Sequence, residues 1–260
     1  MIGSDSINKR MKSNYENRSK TFLTRRTPVI IRCDGKNFSS YTKGLKKPFD
    51  EGLIEDMEAT TKFLCENIQG VKLGYCQSDE ISLLLTDYET LDTQAWFDYN
   101  VQKMTSISAS MAAAKFNQLR VFRMLVDTGS SYSSDTRVEN FHLAFFDSRV
   151  FNIPKEEVSN YFLARQKDAV KNSIAMLAQS LYSHGTPNSE LYKKNQSEMQ
   201  EMCWQKGHNW NDLDYRKKRG CTIIKVQKEV SDGYVSWSRG KWESVETPMI
   251  FDYEYFKNLI

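Results

Sequence analysis

The chain has no C-x-x-C pair, no long apolar run and almost no excess of either charge, and each lack closes a class of function. Its five cysteines, Cys33, Cys65, Cys76, Cys203 and Cys221, are odd in number and scattered, which excludes a disulfide framework and a zinc knuckle and suits a reducing compartment. No apolar stretch approaches the length of a bilayer crossing, and the first twenty residues carry charge where a secretory leader would carry an apolar segment. The expectation is therefore a cytoplasmic chain with no membrane partner. The 36 cations and 33 anions leave +3, so a polyanion must be held by local patches and not by the field of the whole body. The three histidines, His142, His184 and His208, stand too far apart to suggest a metal centre. No internal repeat and no flexible linker interrupts the 260 residues, of which 40% are apolar, enough for one sizeable core.

What is present reads as alternating strands and helices. Residues 1–27 are polar and basic, with Arg18, Lys20, Arg25 and Arg26 on a helix and approach segment. Val29-Ile-Ile-Arg-Cys33 predicts a buried strand that stops at the turn Asp34-Gly35. Asp50 is placed to cap a helix whose Leu53, Ile54, Met57, Thr60, Thr61, Leu64 and Ile68 share one face. Val71–Cys76 and Ile81–Leu85, joined by Gln77-Ser78-Asp79-Glu80, predict a hairpin. A helix is expected from about Thr93 to Asn117, then a strand over Val121–Val126, a serine-rich surface loop to Thr136, and a better strand over His142–Phe146. Beyond Pro154 the pattern predicts a helix to about Tyr182, a break at Gly185-Thr-Pro187 and a helix to about Trp204. A strand pair near Gly220–Glu229 and Tyr234–Trp242 closes the chain, with Trp237 and Trp242 in its core. The order strand, helix, strand, strand, helix, strand matches the α+β, ferredoxin-like split βαβ of a polymerase-like palm, an antiparallel sheet with helices on one face. The C-terminal extension is then helical and β-hairpin.

In that topology the end of the first strand lies beside the start of the third, so Asp34 meets Asp79 and Glu80 at one sheet edge. Such an edge can hold Mg²⁺, a hard cation taking oxygen ligands, and a pair of ions steadies both the attacking and the leaving oxygen of a phosphoryl transfer. Gly35, without Cβ, lets backbone approach an ion or phosphate closely. Lys36-Asn37-Phe38-Ser39 offers amides and hydroxyls to a triphosphate. The alternative reading, a plain turn and a solvated hairpin tip, stands beside this one for each motif taken singly. Lys193-Lys194 and Tyr215-Arg216-Lys217-Lys218-Arg219 are basic clusters near Trp204 and Trp210, which suits either an RNA backbone with stacked bases or a solvated face.

The ordered motifs Val29–Phe38, Lys47-Pro48, Tyr75–Glu80 and Phe146-Asp-Ser-Arg-Val150 resemble the signature of the tRNA-histidine guanylyltransferase family and its bacterial, archaeal and phage "like" proteins. The resemblance runs from about Met11 to Lys228 and is strongest before Phe151. It implies a nucleotidyltransferase that extends the 5′ end of tRNA in the 3′ to 5′ direction, using ATP and GTP as substrates and two Mg²⁺ ions. It implies Asp34 and Asp79 as bridging metal ligands, Gly35 as a carbonyl ligand and Glu80 as a required neighbour. Lys36, Asn37, Phe38, Ser39 and Ser78 are implied to meet the nucleotide, and Arg32 and Lys47 to face phosphate. Arg165 and Asn172 join Lys193, Lys194 and Arg216–Arg219 as candidates for RNA contact. Residues 1–150 then form the catalytic palm, and 151–260 an extension packed on it that reaches tRNA. A homotetramer is the family's habit. Ser39 and Val170 stand where the family's strict guanylyltransferases carry histidine, which favours the branch that repairs truncated tRNA 5′ ends over strict addition of G to tRNA-histidine. Within other classes, a nucleotide cyclase or an RNA-binding protein with an inactive palm are the competing readings.

Overall fold

A computed structural model describes residues 4–127, 142–231 and 236–260, with side chains described for 6–126, 142–227 and 240–260. In chain order the elements are α1 (Ser4–Met11), β1 (Val29–Gly35), α2 (Phe38–Tyr41), α3 (Glu51–Asn67), β2 (Val71–Gln77), β3 (Glu80–Leu85), α4 (Val101–Asp127), β4 (Phe146–Asn152), α5 (Val158–Leu181), α6 (Gln196–Gln205), α7 (Tyr215–Arg219), β5 (Cys221–Ser231), β6 (Ser236–Glu246) and α8 (Tyr253–Lys257).

Six strands form one sheet in the order β4-β1-β3-β2-β5-β6, and every pairing is antiparallel. β3 therefore lies between β1 and β2, which run in the same direction, as the split βαβ pattern requires. The strands β1 and β3 are apolar on both faces because both faces are covered. Val29, Ile31, Cys33, Ile81, Leu83 and Leu85 pack under Met57 and Leu64 of α3 and Met104, Ala112 and Phe116 of α4. Ile30, Leu73, Tyr75 and Leu84 point the other way, to Phe162 of α5 and to Phe251 and Phe256. Each such side chain, fully withdrawn from water, contributes about 1.5–3 kcal/mol. The palm's own helices thus sit on one face, as expected, and α5 and α8 of the extension cover the other. The hairpin β5–β6 continues the same sheet beyond β2. Asp50 does cap α3, its carboxylate accepting from the Leu53 amide at 2.8 Å, a contribution of about 1 kcal/mol.

Three expectations are corrected. The helix expected from Thr93 begins at Val101 instead, because Phe97, Asp98 and Tyr99 adopt positive φ and Asn100 caps the new start by accepting from the Lys103 amide. The strand expected over Val121–Val126 is the last part of that helix. Arg120 and Arg123 both reach the buried Asp56, at 3.1 and 2.8 Å, and only helical spacing brings residues three apart onto one carboxylate. The strand expected over His142–Phe146 is displaced to Phe146–Asn152, since β1 ends at Gly35 opposite Phe146 and offers the earlier residues no ladder. There the Asn117 side chain brackets the Ala144 backbone, accepting from its amide and donating to its carbonyl, both at 2.9 Å. The serine-rich loop and the side chain of Trp237 lie outside the described residues; Trp242 packs on the core.

Candidate active site

The site grows from the register of three strands. Asp34 is directly opposite Glu80 on β3 and directly opposite Asp147 on β4. One pair further in, Arg32 is opposite Ser82 and Arg149. Strand alternation puts all six on the α5 face, since Ser108 of α4 bonds Ser148 on the other face and Tyr161 of α5 bonds Ser82 on this one. The result is a row of carboxylates at the sheet edge with a row of guanidinium groups behind it.

Asp79 reaches the same edge from the hairpin tip. Ser78 takes positive φ, 51°, which turns the chain tightly, and the Asp79 carbonyl accepts from the Gly35 amide at 3.1 Å, tying the tip to the end of β1. Burial pushes the Asp79 carboxyl above its ordinary range, and the Asp34 charge pushes it the same way, against hydrogen bonds from its own amide and from Ser78. Burial likewise raises the Glu80 carboxyl, with Arg165 and Arg32 opposing the rise.

Three arginines meet this edge. Arg32 Nη2 donates to Asp34 Oδ2 at 3.4 Å and its Nε lies 3.8 Å from Glu80 Oε2; that Nε is buried without a hydrogen-bond partner. Arg149 Nη2 lies 3.8 Å from the same Asp34 oxygen and 3.2 Å from Asp147. Arg165 of α5 spans Glu80 at 3.3 Å and Asp168 at 2.8 Å. These are bidentate-capable donors gathered where phosphate charge can be received. Arg149 and Asp147 were missed as site residues in the sequence. The alternation Phe146, Ser148, Val150 against Asp147, Arg149 could have shown them, given the correct strand.

The loop after β1 divides its duties. Lys36, Asn37 and Ser39 are exposed, and Asn37 has left-handed backbone, φ 55°. Phe38 turns inward, against Tyr41, Phe116 and Phe146, so only its main chain faces a ligand. Its ring also lies where a side chain on Gly35 would have to be, 2.2 Å from a Cβ built there. Beside the loop, exposed Lys47 and Ser78 line a cavity of about 180 Å³ that runs toward Met176 and His184 of the α5 side. A smaller cavity continues past Ser78 to Asn172 and Arg216. The crevice between α3 and α5 thus ends beside Asp79.

Most of the expected RNA contacts find partners inside the protein. Arg219 is buried, donating to the Thr247 carbonyl at 2.8 Å and pairing with Glu246 at 2.6 Å, which corrects its reading as an RNA contact. Arg216 pairs with Asp214, Glu51 and Glu58, and Lys217 with Glu51. Lys218 donates to the Asn211 carbonyl and lies over the Trp210 ring. Arg165 belongs to the carboxylate edge and Asn172 to the crevice. Lys193 and Lys194 are exposed, the latter paired with Glu198.

The donors at the edge are all oxygen, which is the chemistry magnesium selects. Among the described residues no three His, Cys, Asp or Glu side chains are close enough to hold an ion alone. Asp34 and Asp79 with the Gly35 main chain leave places for phosphate oxygens and water, which is how Mg²⁺ is usually bound. A cation there would also relieve the repulsion felt at Asp79.

A family model for tRNAHis guanylyltransferase matches residues 8–154. A bacterial tRNA(His) guanylyltransferase-like protein, solved in complex with ATP, is 43% identical with a TM-score of 0.80, covering 98% of this chain and 99% of that one. A second such structure, in complex with GTP, is 42% identical with a TM-score of 0.78 over 98% of this chain and 99% of that one. Protein R259 of Acanthamoeba polyphaga mimivirus is 28% identical over 209 residues, spanning 76% of this chain and 69% of that protein. No described helix is long and apolar enough to cross a membrane.

Proposed function

The chain belongs to the tRNAHis guanylyltransferase family of nucleotidyltransferases, and from that membership we propose that it adds nucleotides to the 5′ end of tRNA in the 3′ to 5′ direction. The observation that carries the proposal is the meeting of Asp34 and Asp79 at the sheet edge beside a crevice lined by Ser78 and Lys47. An oxygen of the 5′ monophosphate attacks the α-phosphorus of ATP or GTP and releases pyrophosphate. The 3′-hydroxyl of an incoming triphosphate then attacks the activated 5′ phosphorus, loses its proton and displaces the nucleoside monophosphate.

Asp34, Asp79 and the Gly35 main chain would hold the magnesium ions, which when bound neutralise charge on the attacking and leaving oxygens. Lys47, Ser78 and the amides of Lys36–Ser39 orient the triphosphate in the crevice. Arg32, Arg149 and Arg165 already stand against carboxylates, so their guanidinium groups are held in place before phosphate arrives and cost little to reorganise. Glu80, buried between Arg32 and Arg165, positions both. Residues 1–150 carry the carboxylates and the nucleotide loop, and 151–260 supply Arg165, close the crevice and contribute to tRNA binding, with a homotetramer as the working assembly in the cytoplasm.

Ser39 and Val170, in place of the histidines of the strict enzymes, favour templated repair of truncated tRNA over addition of G to tRNA-histidine alone. The test offers the protein 5′-monophosphorylated tRNA lacking its first nucleotide, with Mg²⁺, ATP and each labelled triphosphate in turn, beside full-length tRNA-histidine. Extension of truncated tRNA by the complementary nucleotide is expected. G added only to tRNA-histidine would restore the strict activity, and no extension of either would refute the proposal.

A further inference from the structure

Much of the basic cluster at Arg216–Arg219 is neutralised from within, whereas a run of cations at the other end of the chain is not. α1 continues through a wide turn at Lys12–Glu16 and a tight one at Asn17–Ser19, with Met11, Glu16 and Asn17 all right-handed helical at the joins. Residues 4–19 are thus one helical rod, roughly 24 Å long at 1.5 Å per residue. Every side chain from Ser6 to Phe22 is exposed.

The rod is nevertheless rooted. The Thr21 carbonyl accepts from the Val101 amide at 2.9 Å and the Leu23 amide donates to the Tyr99 carbonyl at 3.0 Å. Arg25 Nε and the Arg26 amide both donate to the fully buried Asp87, at 2.6 and 2.8 Å. A helix this short without tertiary packing is marginal in water, so a rod held out from a fixed root is built for a partner.

Its charge says which partner. Residues 4–20 hold five cations, Lys9, Arg10, Lys12, Arg18 and Lys20, against Asp5 and Glu16. Among the described residues none of the five makes an ion pair; Lys20 only donates to Asn17. At 100° per residue, Lys9, Arg10 and Lys12 fall within an arc of about 160°, away from Ile7 and Met11. Exposed helical cations without an ion pair among the described residues match a phosphate backbone.

We propose that residues 6–20 are an RNA-binding arm whose basic face tracks the phosphates of the tRNA body. The inference rests on tRNA being the substrate. The root joins β1 at Val29, the end opposite Asp34, and a seven-residue strand spans roughly 20 Å. The arm therefore serves affinity for the tRNA body and not the reacting phosphate.

The test is the full chain carrying Lys9→Gln, Arg10→Gln and Lys12→Gln together, substitutions that keep helix propensity. Fluorescence anisotropy measures tRNA affinity over a salt series, and ATP affinity is measured in parallel. Each lost phosphate contact lowers the slope of log K against log salt by about 0.7–0.9. The variant should bind tRNA at least tenfold more weakly near physiological salt, with a slope shallower by about 2 and ATP affinity unchanged. Equal affinity and slope in variant and parent, with the parent binding tRNA, overturns the arm alone. A parent that binds no tRNA at low salt overturns the functional reading with it. Unchanged tRNA binding in the triple variant, with Ile7→Ser and Met11→Ser lowering the molar mass in light scattering, makes the rod an interface between copies and overturns the RNA arm.

Discussion

Replacing Gly35 by alanine separates two reasons for a glycine beside Asp34. If the position only lets backbone approach an ion, Gly35→Ala harms activity and leaves stability alone. The structure gives a second reason. A Cβ there lies 2.2, 2.6 and 2.7 Å from three ring atoms of Phe38, where carbon atoms prefer about 3.5–4.0 Å. The ring must retreat by more than an ångström, yet it is 5% exposed and is backed by Tyr41, Phe146 and Phe116 with centroids at 4.9, 5.3 and 5.6 Å. Overpacking of this kind costs about 1–3 kcal/mol, which for a chain of this size lowers Tm by roughly 3–10 °C. Differential scanning fluorimetry measures it. Because the strain comes from one ring, Phe38→Leu in the same chain should return part of the loss, so the double variant is more stable than the two single losses added together. A Tm for Gly35→Ala within 1 °C of the parent, or strictly additive losses, would refute the packing argument and leave only the ligand one.

Asp79→Ala should abolish nucleotide addition while circular dichroism and tRNA affinity stay at the parent's values; retained turnover would sink the metal assignment. Because burial and Asp34 raise the Asp79 carboxyl above its ordinary 3.8, the folded chain holds that proton more tightly than the unfolded one, and stability is lost as pH rises through the raised value. With a chelator present, Asp79→Asn should therefore raise Tm at pH 7.5 and the gap should close toward pH 4, while added Mg²⁺ stabilises the parent alone; an unchanged gap across the range would contradict the burial argument. Arg219→Met removes the donor to the Thr247 carbonyl and should cost about 1–3 kcal/mol, seen as a Tm several degrees lower with the salt dependence of tRNA binding unchanged. A shallower salt slope in that variant would return Arg219 to the RNA surface.

The resemblance and the strand signals made the edge of Asp34, Asp79 and Glu80 legible, because a split βαβ order leaves few ways to arrange three strands. What failed was local. Val121–Val126 looks like a strand on its own, and it is helical because Arg120 and Arg123 share Asp56, a partner more than sixty residues away. Likewise a basic run such as Tyr215–Arg219 carries no record of the acids it will meet, and Glu51, Glu58 and Glu246 neutralise much of it only after folding.

The sequence by itself determined the split βαβ order of the first strands and helices, the apolar stripes that set their register and the meeting of Asp34, Asp79 and Glu80 at one sheet edge, since these follow from periodicity and topology along the chain. Only the tertiary structure decided that Arg149 and Asp147 stand beside Asp34, that Phe38 packs over Gly35, and which cations remain unpaired, because pairing depends on distances between residues far apart in the chain.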